Sequence, residues 1–342
     1  MERWDRKQFF AKLAPLDQDQ MAKTLWTVYW KGTQEVRHRI EAELDPESAR
    51  RKRAAVESAA DPEETLEEVV EFVNLARTGA YLGGDRRVRP RERTRWRFTF
   101  RRLFKDAQDA LAGPDPHLGA EALEHLVDLA REMGGYEYFR SEDPIQAARI
   151  VISDEVERLW ARLRHQLDFD SFARRAAPQL LRWESRHGWT RTGFGEVAEK
   201  ERTLARTLEP LLTTRDSWVT FSDRYLEALD AAASVGAKRR GDARHREYRR
   251  EERARDLSDW HSLLLNHLVG GEGEDRLERL IATPALAGPE VLLLAARLAW
   301  RRGELSQARQ MAAELIQKVP RHPEFLAFAR QLKVAPGRAS DA

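Results

Sequence analysis

The sequence predicts an all-α protein, and three observations lead to that fold class. Apolar residues recur at spacings of three and four along most of the 342 residues, which is the period of an amphipathic helix. No segment alternates apolar and polar residues for long enough to demand a strand. Glycine and proline interrupt the pattern at intervals that suit helix connections, as in GPDP at 113–116. We therefore expect a helical array or solenoid of antiparallel hairpins.

The composition is that of a folded chain with much helix surface facing water. Apolar residues make up 42% of the chain, charged residues make up 34%, and the mean hydropathy is −0.66. The formal net charge is only +2, because 59 basic residues nearly balance 57 acidic ones, so any attraction to nucleic acid must be local. The chain has no cysteine, which excludes disulfides, thiolate nucleophiles and cysteine-ligated metal sites.

The sequence contains no recognisable targeting or membrane segment. Its first ten residues, MERWDRKQFF, are charged and lack the apolar stretch of a signal peptide. No run approaches the roughly 18 apolar residues of a membrane span. The strong excess of arginine over lysine is typical of a GC-rich genome. We expect a cytoplasmic bacterial protein with no membrane partner.

The N-terminal region reads as three short helices, at residues 5–13, 17–30 and 33–44. The second of these carries an aromatic face made of Leu25, Trp26, Tyr29 and Trp30. Because each large side chain that becomes buried contributes roughly 1.5–3 kcal/mol, we interpret this face as core. The segment 46–57 is basic and thinly apolar, so it is at best a surface helix. A further helix, opened by Asp61 and Pro62, completes this region.

The strongest local charge lies between residues 86 and 104. Nine arginines stand there against one acid, Glu92; they are Arg86, Arg87, Arg89, Arg91, Arg93, Arg95, Arg97, Arg101 and Arg102. Apolar residues at helical spacing continue to Leu111, which predicts a helix with Arg93, Arg97 and Arg101 along its polar face. Aromatic residues also alternate with arginines from 95 to 101, so a short strand is the alternative. The continuation of the helical period favours the helix.

Two interpretations of this arginine-rich helix remain open. The arginines could neutralise phosphates while Trp96 or Phe98 stacks on bases, which would make the chain a DNA- or RNA-binding subunit. Alternatively, the aromatic residues belong to the core, and the arginines pair with acidic helices such as 63–71 or contact a protein.

The central region is expected to continue as helices near 119–132, 144–166, 171–187, 195–212 and 216–233, with a glycine-rich helix connection at 188–195. Residues 238–255 contain almost nothing apolar, so we interpret them as a solvated connector helix or a disordered linker. The predicted regions are an N-terminal helical region at 1–82, a central helical region at 83–235, a charged connector at 236–255, C-terminal helical repeats at 256–336 and a disordered tail at 337–342.

The clearest motif runs from Pro289 to His322. It reads as two amphipathic helices joined at one glycine, and its packing residues are Leu292, Ala295, Ala296, Ala299, Gly303, Ala308, Ala312 and Leu315. Pro320 ends the second helix, and Pro323 restarts the chain one period of 34 after Pro289. This segment resembles one tetratricopeptide repeat. Where that family often has tryptophan, glycine and tyrosine on the first helix, this chain has Leu292, Ala296 and Ala299. The large residue expected on the second helix is Ala312, so the repeat is divergent.

The resemblance implies a helical hairpin that must stack on similar neighbours to bury its apolar face. Residues 256–282 form a second, degenerate hairpin in this interpretation, and residues 323–333 form a capping helix. In the family, such hairpins build concave surfaces that bind peptides or partner helices. The resemblance therefore implies a protein partner and leaves its identity open.

Catalytic motifs are lacking in the sequence. There is no phosphate-binding loop, and the glycines near 270 follow a helix. Two Glu-x-x-His spacings, Glu35 with His38 and Glu184 with His187, would each share a helical face, but flanking arginines argue against a buried metal site. We expect no cofactor and no metal. The sequence favours a non-enzymatic adaptor or complex subunit, with nucleic-acid binding as the alternative.

Overall fold

The computed structural model describes residues 5–31, 34–47, 61–83, 85–113, 116–238 and 243–334. Every regular element in these ranges is helical, which confirms the all-α prediction and rules out a strand near residue 98. Two compact units divide the chain, residues 1–60 and residues 61–342. The predicted surface helix at 46–57 lies almost entirely outside the described residues, as does the predicted tail at 337–342.

The first unit contains helices α1 (Arg6–Leu13), α2 (Gln18–Lys31) and α3 (Gln34–Leu44). The starts of α1 and α2 are fixed by reciprocal caps. The Asp17 carboxylate accepts from the Gln20 backbone N–H at 2.7 Å, and the Gln20 side chain accepts from the Asp17 N–H at 3.1 Å. Asp5 and Gln8 repeat the arrangement at the start of α1. These helices are therefore defined locally, by capping and period.

The aromatic face of α2 is exposed, so its interpretation as core is wrong. Trp26 is 60% exposed and Trp30 is 71% exposed, and no residue described between 5 and 47 is buried. The rings contact one another, since Trp26 stacks on Tyr29 at 5.7 Å and on Trp30 at 5.8 Å. The spacing that predicted a buried face is real, but the described side chains of the first unit leave this face exposed.

The second unit contains the remaining helices, which are α4 (Pro62–Arg77), α5 (Pro90–Ala112), α6 (Pro116–Met133), α7 (Pro144–Ala148), α8 (Ile152–Gln166), α9 (Phe169–Trp183), α10 (Glu196–Lys200), α11 (Leu204–Leu208), α12 (Arg215–Lys238), α13 (Ala243–Asp256), α14 (Ser258–Leu268), α15 (Glu274–Ala282), α16 (Pro289–Arg301), α17 (Leu305–Lys318) and α18 (Pro323–Gln331). A 3₁₀ turn at Glu209–Leu211 follows α11.

Two of the long helices predicted in the central region are broken. The segment 144–166 divides at Arg149, which adopts a left-handed conformation with φ of 53°. The Glu201 carboxylate then accepts from the backbone N–H groups of Ile152 and Ser153, at 2.7 and 2.9 Å, and so caps the new helix α8. The segment 195–212 similarly divides into α10, α11 and the 3₁₀ turn.

Helices α4, α5 and α6 pack together and place the arginine-rich segment. Trp96 stacks on Phe139 at 4.1 Å, and Phe72 stacks on Phe100 at 5.9 Å, so aromatic rings fill the space between the helices. The crossing of α5 and α6 is close, because a Cβ atom on Gly119 would lie 2.2 Å from the Leu111 backbone nitrogen. One face of α5 is thus fixed towards the core.

A single hydrophobic cluster extends from Val69 to Leu298. It passes through the segment interpreted as a solvated connector. In α13, residues 243–249 are exposed, but Ala254 is buried, and Arg253 donates to the Ala285 carbonyl at 2.9 Å. The prediction of solvent exposure therefore fails for the last turns of α13, because its small and long basic side chains pack on the chain that precedes α16. Residues 239–242 lie outside the described residues.

Helix α16 has two apolar faces. Leu294 and Leu298 belong to the large cluster, whereas Leu293 belongs to a second cluster shared with α17 and α18. Helices α16 and α17 form a hairpin that turns at Gly303, whose φ is +83°. Of the packing residues predicted from the sequence, five are buried: Ala296, Ala299, Ala308, Ala312 and Leu315. Leu292 and Ala295 are partly buried. Pro320, which follows the end of α17, is exposed.

Candidate functional site

The candidate site is the solvent face of α5, which we call the arginine face. Trp96, Phe100 and Phe104 are buried on the opposite side of the helix. At 3.6 residues per turn, the outward side chains then follow from the sequence alone. Exposed or partly exposed on this face are Arg91, Thr94, Arg95, Arg97, Phe98, Arg101, Arg102 and Lys105. Arg86, Arg87 and Arg89 lie in the loop that leads into it and are exposed.

Three of the nine arginines are engaged within the fold. Arg87 forms an ion pair with Asp85 and donates to the Thr78 hydroxyl at 3.1 Å. This contact holds the pKa of the Asp85 carboxyl well below its ordinary value, at about 2. Arg102 pairs with Glu68 on α4 and with Asp106 at 2.8 Å. The expected pairing with the acidic helix 63–71 is therefore present, at this one position.

Arg93 is the third engaged arginine, and its placement corrects the predicted ridge. Its guanidinium donates to the backbone carbonyls of Val88, at 2.9 Å, and Asp85. The side chain is half-buried and turns back over the loop before α5 instead of lying beside Arg97 and Arg101. Position 93 falls at the edge of the buried stripe, which explains why a polar-face assignment from the period alone fails there.

Six arginines remain without an acidic partner. Within the ranges that the structure describes, no carboxylate lies within 4 Å of the guanidinium groups of Arg86, Arg89, Arg91, Arg95, Arg97 and Arg101. Elsewhere in the second unit, exposed arginines such as Arg174 and Arg206 pair with a carboxylate one turn away. Arg149 and Arg279 are exposed and also lack an ion pair with any described residue, but they stand singly and not in a series along one helix. The arginine face therefore carries positive charge that the fold leaves uncompensated.

Phe98 lies in the middle of these cations and is 51% exposed. The guanidinium carbons of Arg97 and Arg101 each lie 5.0 Å from the centre of its ring, which is within cation–π distance. Trp96, the other aromatic residue considered for base stacking, is buried against Phe139 and cannot serve. The signal for this distinction is present in the sequence, since Trp96 belongs to the apolar stripe and Phe98 lies two positions from it.

Replacing Arg93 with glutamine is expected to lower the free energy of unfolding by about 1–3 kcal/mol. Its guanidinium satisfies two loop carbonyls that glutamine is too short to reach together. Arg91→Gln and Arg95→Gln, on exposed arginines of the same helix, should each change stability by less than about 0.5 kcal/mol. Urea denaturation of the three variants measures the difference. Equal stability for all three would contradict the structural role of Arg93.

A shallow groove of about 420 Å³ lies on α4 beside Arg87. It is lined by Glu67, Val70, Glu71, Asn74, Leu75, Thr78 and Arg87. The Thr78 hydroxyl donates to helix carbonyls and accepts from Arg87, so it is held in structural hydrogen bonds. The groove therefore combines carboxylates with one arginine and offers no activated nucleophile.

The titratable groups buried in the second unit include Tyr225, His261 and Glu184. Tyr225 Oη and His261 Nε2 lie 2.8 Å apart, and burial lowers the pKa of His261 to about 3. The imidazole is therefore neutral, and the pair belongs to the packing of α12 against α14. Burial also raises the pKa of Glu184 to about 7, although its carboxylate accepts from the backbone N–H groups of Ser185 and Ala205.

Of the two Glu-x-x-His spacings, the structure describes the side chains of one, Glu184 and His187. Helix α9 ends at Trp183, so Glu184 and His187 do not share a helical face; Glu184 points inwards and His187 is exposed. The side chains of Glu35 and His38 lie outside the described residues. Among the described residues, no group of three histidine or acidic side chains could hold a metal ion. No described helix has the length and apolar character needed to cross a bilayer.

Comparison with known proteins adds no relative. No family model matches this chain, and no curated protein or solved structure matches it either.

Proposed function

We propose that the chain is a non-enzymatic adaptor that binds a protein partner through the aromatic face of α2. The observation that carries this proposal is the exposure of Trp26 and Trp30 on a helix that buries none of its described residues. Exposed apolar surface of this kind is unfavourable in water and is typical of binding sites. Phe9, Phe10 and Leu44 of the same unit are also exposed.

The geometry of α2 suits a helix that inserts into an apolar groove. Trp26, Tyr29 and Trp30 stand at i, i+3 and i+4, which is the anchor pattern of helix-in-groove recognition. Tyr29 donates to Glu41 on α3 at 2.8 Å, so its ring is already oriented before a partner arrives. Tryptophan and tyrosine are the residues that most often dominate binding energy, since each ring buries roughly 150–250 Å².

The way in which the C-terminal hairpin packs supports the adaptor proposal. Helix α16 packs on the large cluster through Leu294 and Leu298 and on α17 through its other face. Phe325 and Phe328 of α18 then cover the end of the hairpin. Because the apolar faces of α16 and the end of the hairpin are already covered by other parts of the chain, we assign the partner contact to α2. The second unit would then serve as the scaffold of the adaptor.

A photo-crosslinking amino acid at position 30 tests the proposal. Expressed in the native host, the full chain carrying it should form an adduct with another protein on illumination. The matched control carries the same group at Phe194, which is 80% exposed in a loop of the second unit and should give no such adduct. Trp26→Ser combined with crosslinking from position 30 should weaken the adduct, because one anchor is lost.

Four outcomes would contradict the proposal of a non-enzymatic adaptor. Adducts only with a second copy of the chain would indicate self-association, and adducts only with lipid would indicate a membrane-surface helix. Equal labelling from positions 30 and 194 would indicate non-specific contact. Turnover of a metabolite by the purified chain would contradict the non-enzymatic part of the proposal.

A further inference from the structure

We propose that the arginine face binds single-stranded nucleic acid, with arginines on the phosphates and Phe98 stacked on a base. This site is separate from the aromatic face of α2 and goes beyond an adaptor function. Its elements are the six arginines without an acidic partner and the exposed ring between Arg97 and Arg101.

The spacing of the cations suits a polyanion that runs along the helix. Arg91 and Arg95 are four residues apart, and so are Arg97 and Arg101. The two members of each pair are therefore about 6 Å apart along the helix axis. The whole series covers about 15 Å. The two pairs lie on opposite sides of Phe98, because positions 95 and 97 are about 160° apart around the helix. A ligand with one charge, or a few charges close together, would reach only one pair, whereas a phosphate backbone that crosses the face at Phe98 can reach both. Release of counterions from that backbone would supply much of the affinity.

Phe98 is the second element, and it favours nucleic acid over an acidic peptide. Phe98 is 51% exposed and is surrounded on the same face by charged side chains, where a polar residue would be the ordinary choice. An exposed phenylalanine flanked by arginines offers a platform on which a base can stack while the guanidinium groups reach the adjacent phosphates. Carboxylates of a peptide would satisfy the arginines but give the ring no flat partner.

The surroundings of α5 favour a single strand over a duplex. In a duplex the bases are already stacked on one another, so Phe98 would have no base face to contact. A helix that enters the major groove, about 12 Å wide, must also be free on both flanks. Helix α4 lies along one flank of α5 and holds Glu68 in contact with Arg102. Carboxylates at that rim repel the second backbone of a duplex.

The test is the affinity of the full chain for fluorescent single-stranded oligonucleotides across a salt series, with a duplex of the same length for comparison. We expect the single strand to bind more tightly than the duplex, and the log of the affinity to fall with the log of the salt concentration. The triple variant Arg91→Gln, Arg95→Gln, Arg97→Gln should reduce that slope by about 2, because each phosphate contact on a single strand contributes about 0.7.

Phe98→Ala should act differently from the arginine changes. Loss of one stacked base should lower the affinity roughly 5- to 100-fold at every salt concentration while leaving the slope unchanged. Parallel DNA and RNA oligonucleotides of the same sequence show which sugar the site prefers; binding of either one supports the proposal.

Matched controls separate this site from general charge and exposed aromatic residues. The triple variant Arg174→Gln, Lys200→Gln, Arg206→Gln removes the same number of exposed cations, each paired with a carboxylate. Phe194→Ala removes another exposed ring. Both controls should bind as the unaltered chain does. The proposal is overturned by absence of binding at low salt, tighter binding of the duplex or of polyglutamate, or equal losses in the controls.

Discussion

Replacing Gly119 with alanine should destabilise the second unit by about 3 kcal/mol or more. The added Cβ would lie 2.2 Å from the Leu111 backbone nitrogen and 2.6 Å from the Leu111 Cα. Both are backbone atoms of α5, so no side chain can rotate away and the two helices must separate. Because α5 and α6 frame the core that includes Trp96 and Phe100, that separation would loosen the packing behind the arginine face.

Helix propensity alone predicts the opposite sign for this substitution. Alanine is favoured over glycine by about 1 kcal/mol inside a helix, and Gly119 lies within α6. Gly135→Ala is the matched control, since the nearest atom to its added Cβ is 4.0 Å away, and it should change stability by less than about 0.5 kcal/mol. Guanidinium unfolding of both variants decides the matter. A Gly119→Ala chain as stable as the unaltered one would contradict the close crossing.

The second large effect expected is a change in how stability depends on pH, and it rests on two buried groups with opposite shifts. His261 has its pKa lowered by burial from 6.5 to about 3. Between these pH values the unfolded chain binds the proton and the folded chain does not. The free energy of unfolding due to this group therefore rises with pH, by about 1.4 kcal/mol per unit, and is lost as pH falls from about 6.5 to 3.

Glu184 acts in the opposite direction. Burial raises its pKa from 4.5 to about 7, so between those values the folded chain holds a proton that the unfolded chain has released. The free energy of unfolding due to Glu184 therefore falls as pH rises through this window, again by about 1.4 kcal/mol per unit. Between pH 4.5 and 6.5 the contributions of the two groups should largely cancel.

Removing one group should reveal the contribution of the other. Relative to the unaltered chain, Glu184→Gln should gain stability with rising pH between about 4.5 and 6.5, and His261→Gln should lose it. The double variant should run parallel to the unaltered chain. Urea midpoints at several pH values measure these differences. Parallel curves for both single variants would show that neither group titrates as its burial implies.

Local signals allowed the helices to be predicted, and tertiary contacts explain where that prediction failed. The hairpin at α16 and α17 follows directly from apolar spacing and a single glycine. The break at Arg149 depends on the Glu201 carboxylate, 52 positions later, which caps α8 and which no local pattern reveals. The helix ending at Trp183, where 171–187 had been expected, likewise depends on a distant contact, since Glu184 accepts from Ala205.

The candidate site was predictable in composition and only partly in geometry. The run of nine arginines is plain in the sequence, but the period does not show which of them the fold engages. Arg93 donates to backbone carbonyls of the preceding loop, and Arg102 pairs with Glu68 on a neighbouring helix. Both contacts depend on the tertiary fold. The aromatic face of α2 was also misjudged from the sequence, because it was predicted to be buried and is exposed. Amphipathic spacing indicates that a face will be covered and does not say whether the same chain covers it.

The two apolar faces of α16 also imply that the end of the second unit is less stable towards local unfolding than the rest of it. Leu294 and Leu298 keep α16 attached to the large cluster, while the smaller cluster shared with α17 and α18 depends on its other face. Residues 305–332 can therefore open as one cooperative piece without exposing the large cluster, in the manner of a foldon. We therefore expect the amide hydrogens of α17 and α18 to exchange through that local opening, and those of α16 to exchange only through an unfolding that reaches the large cluster.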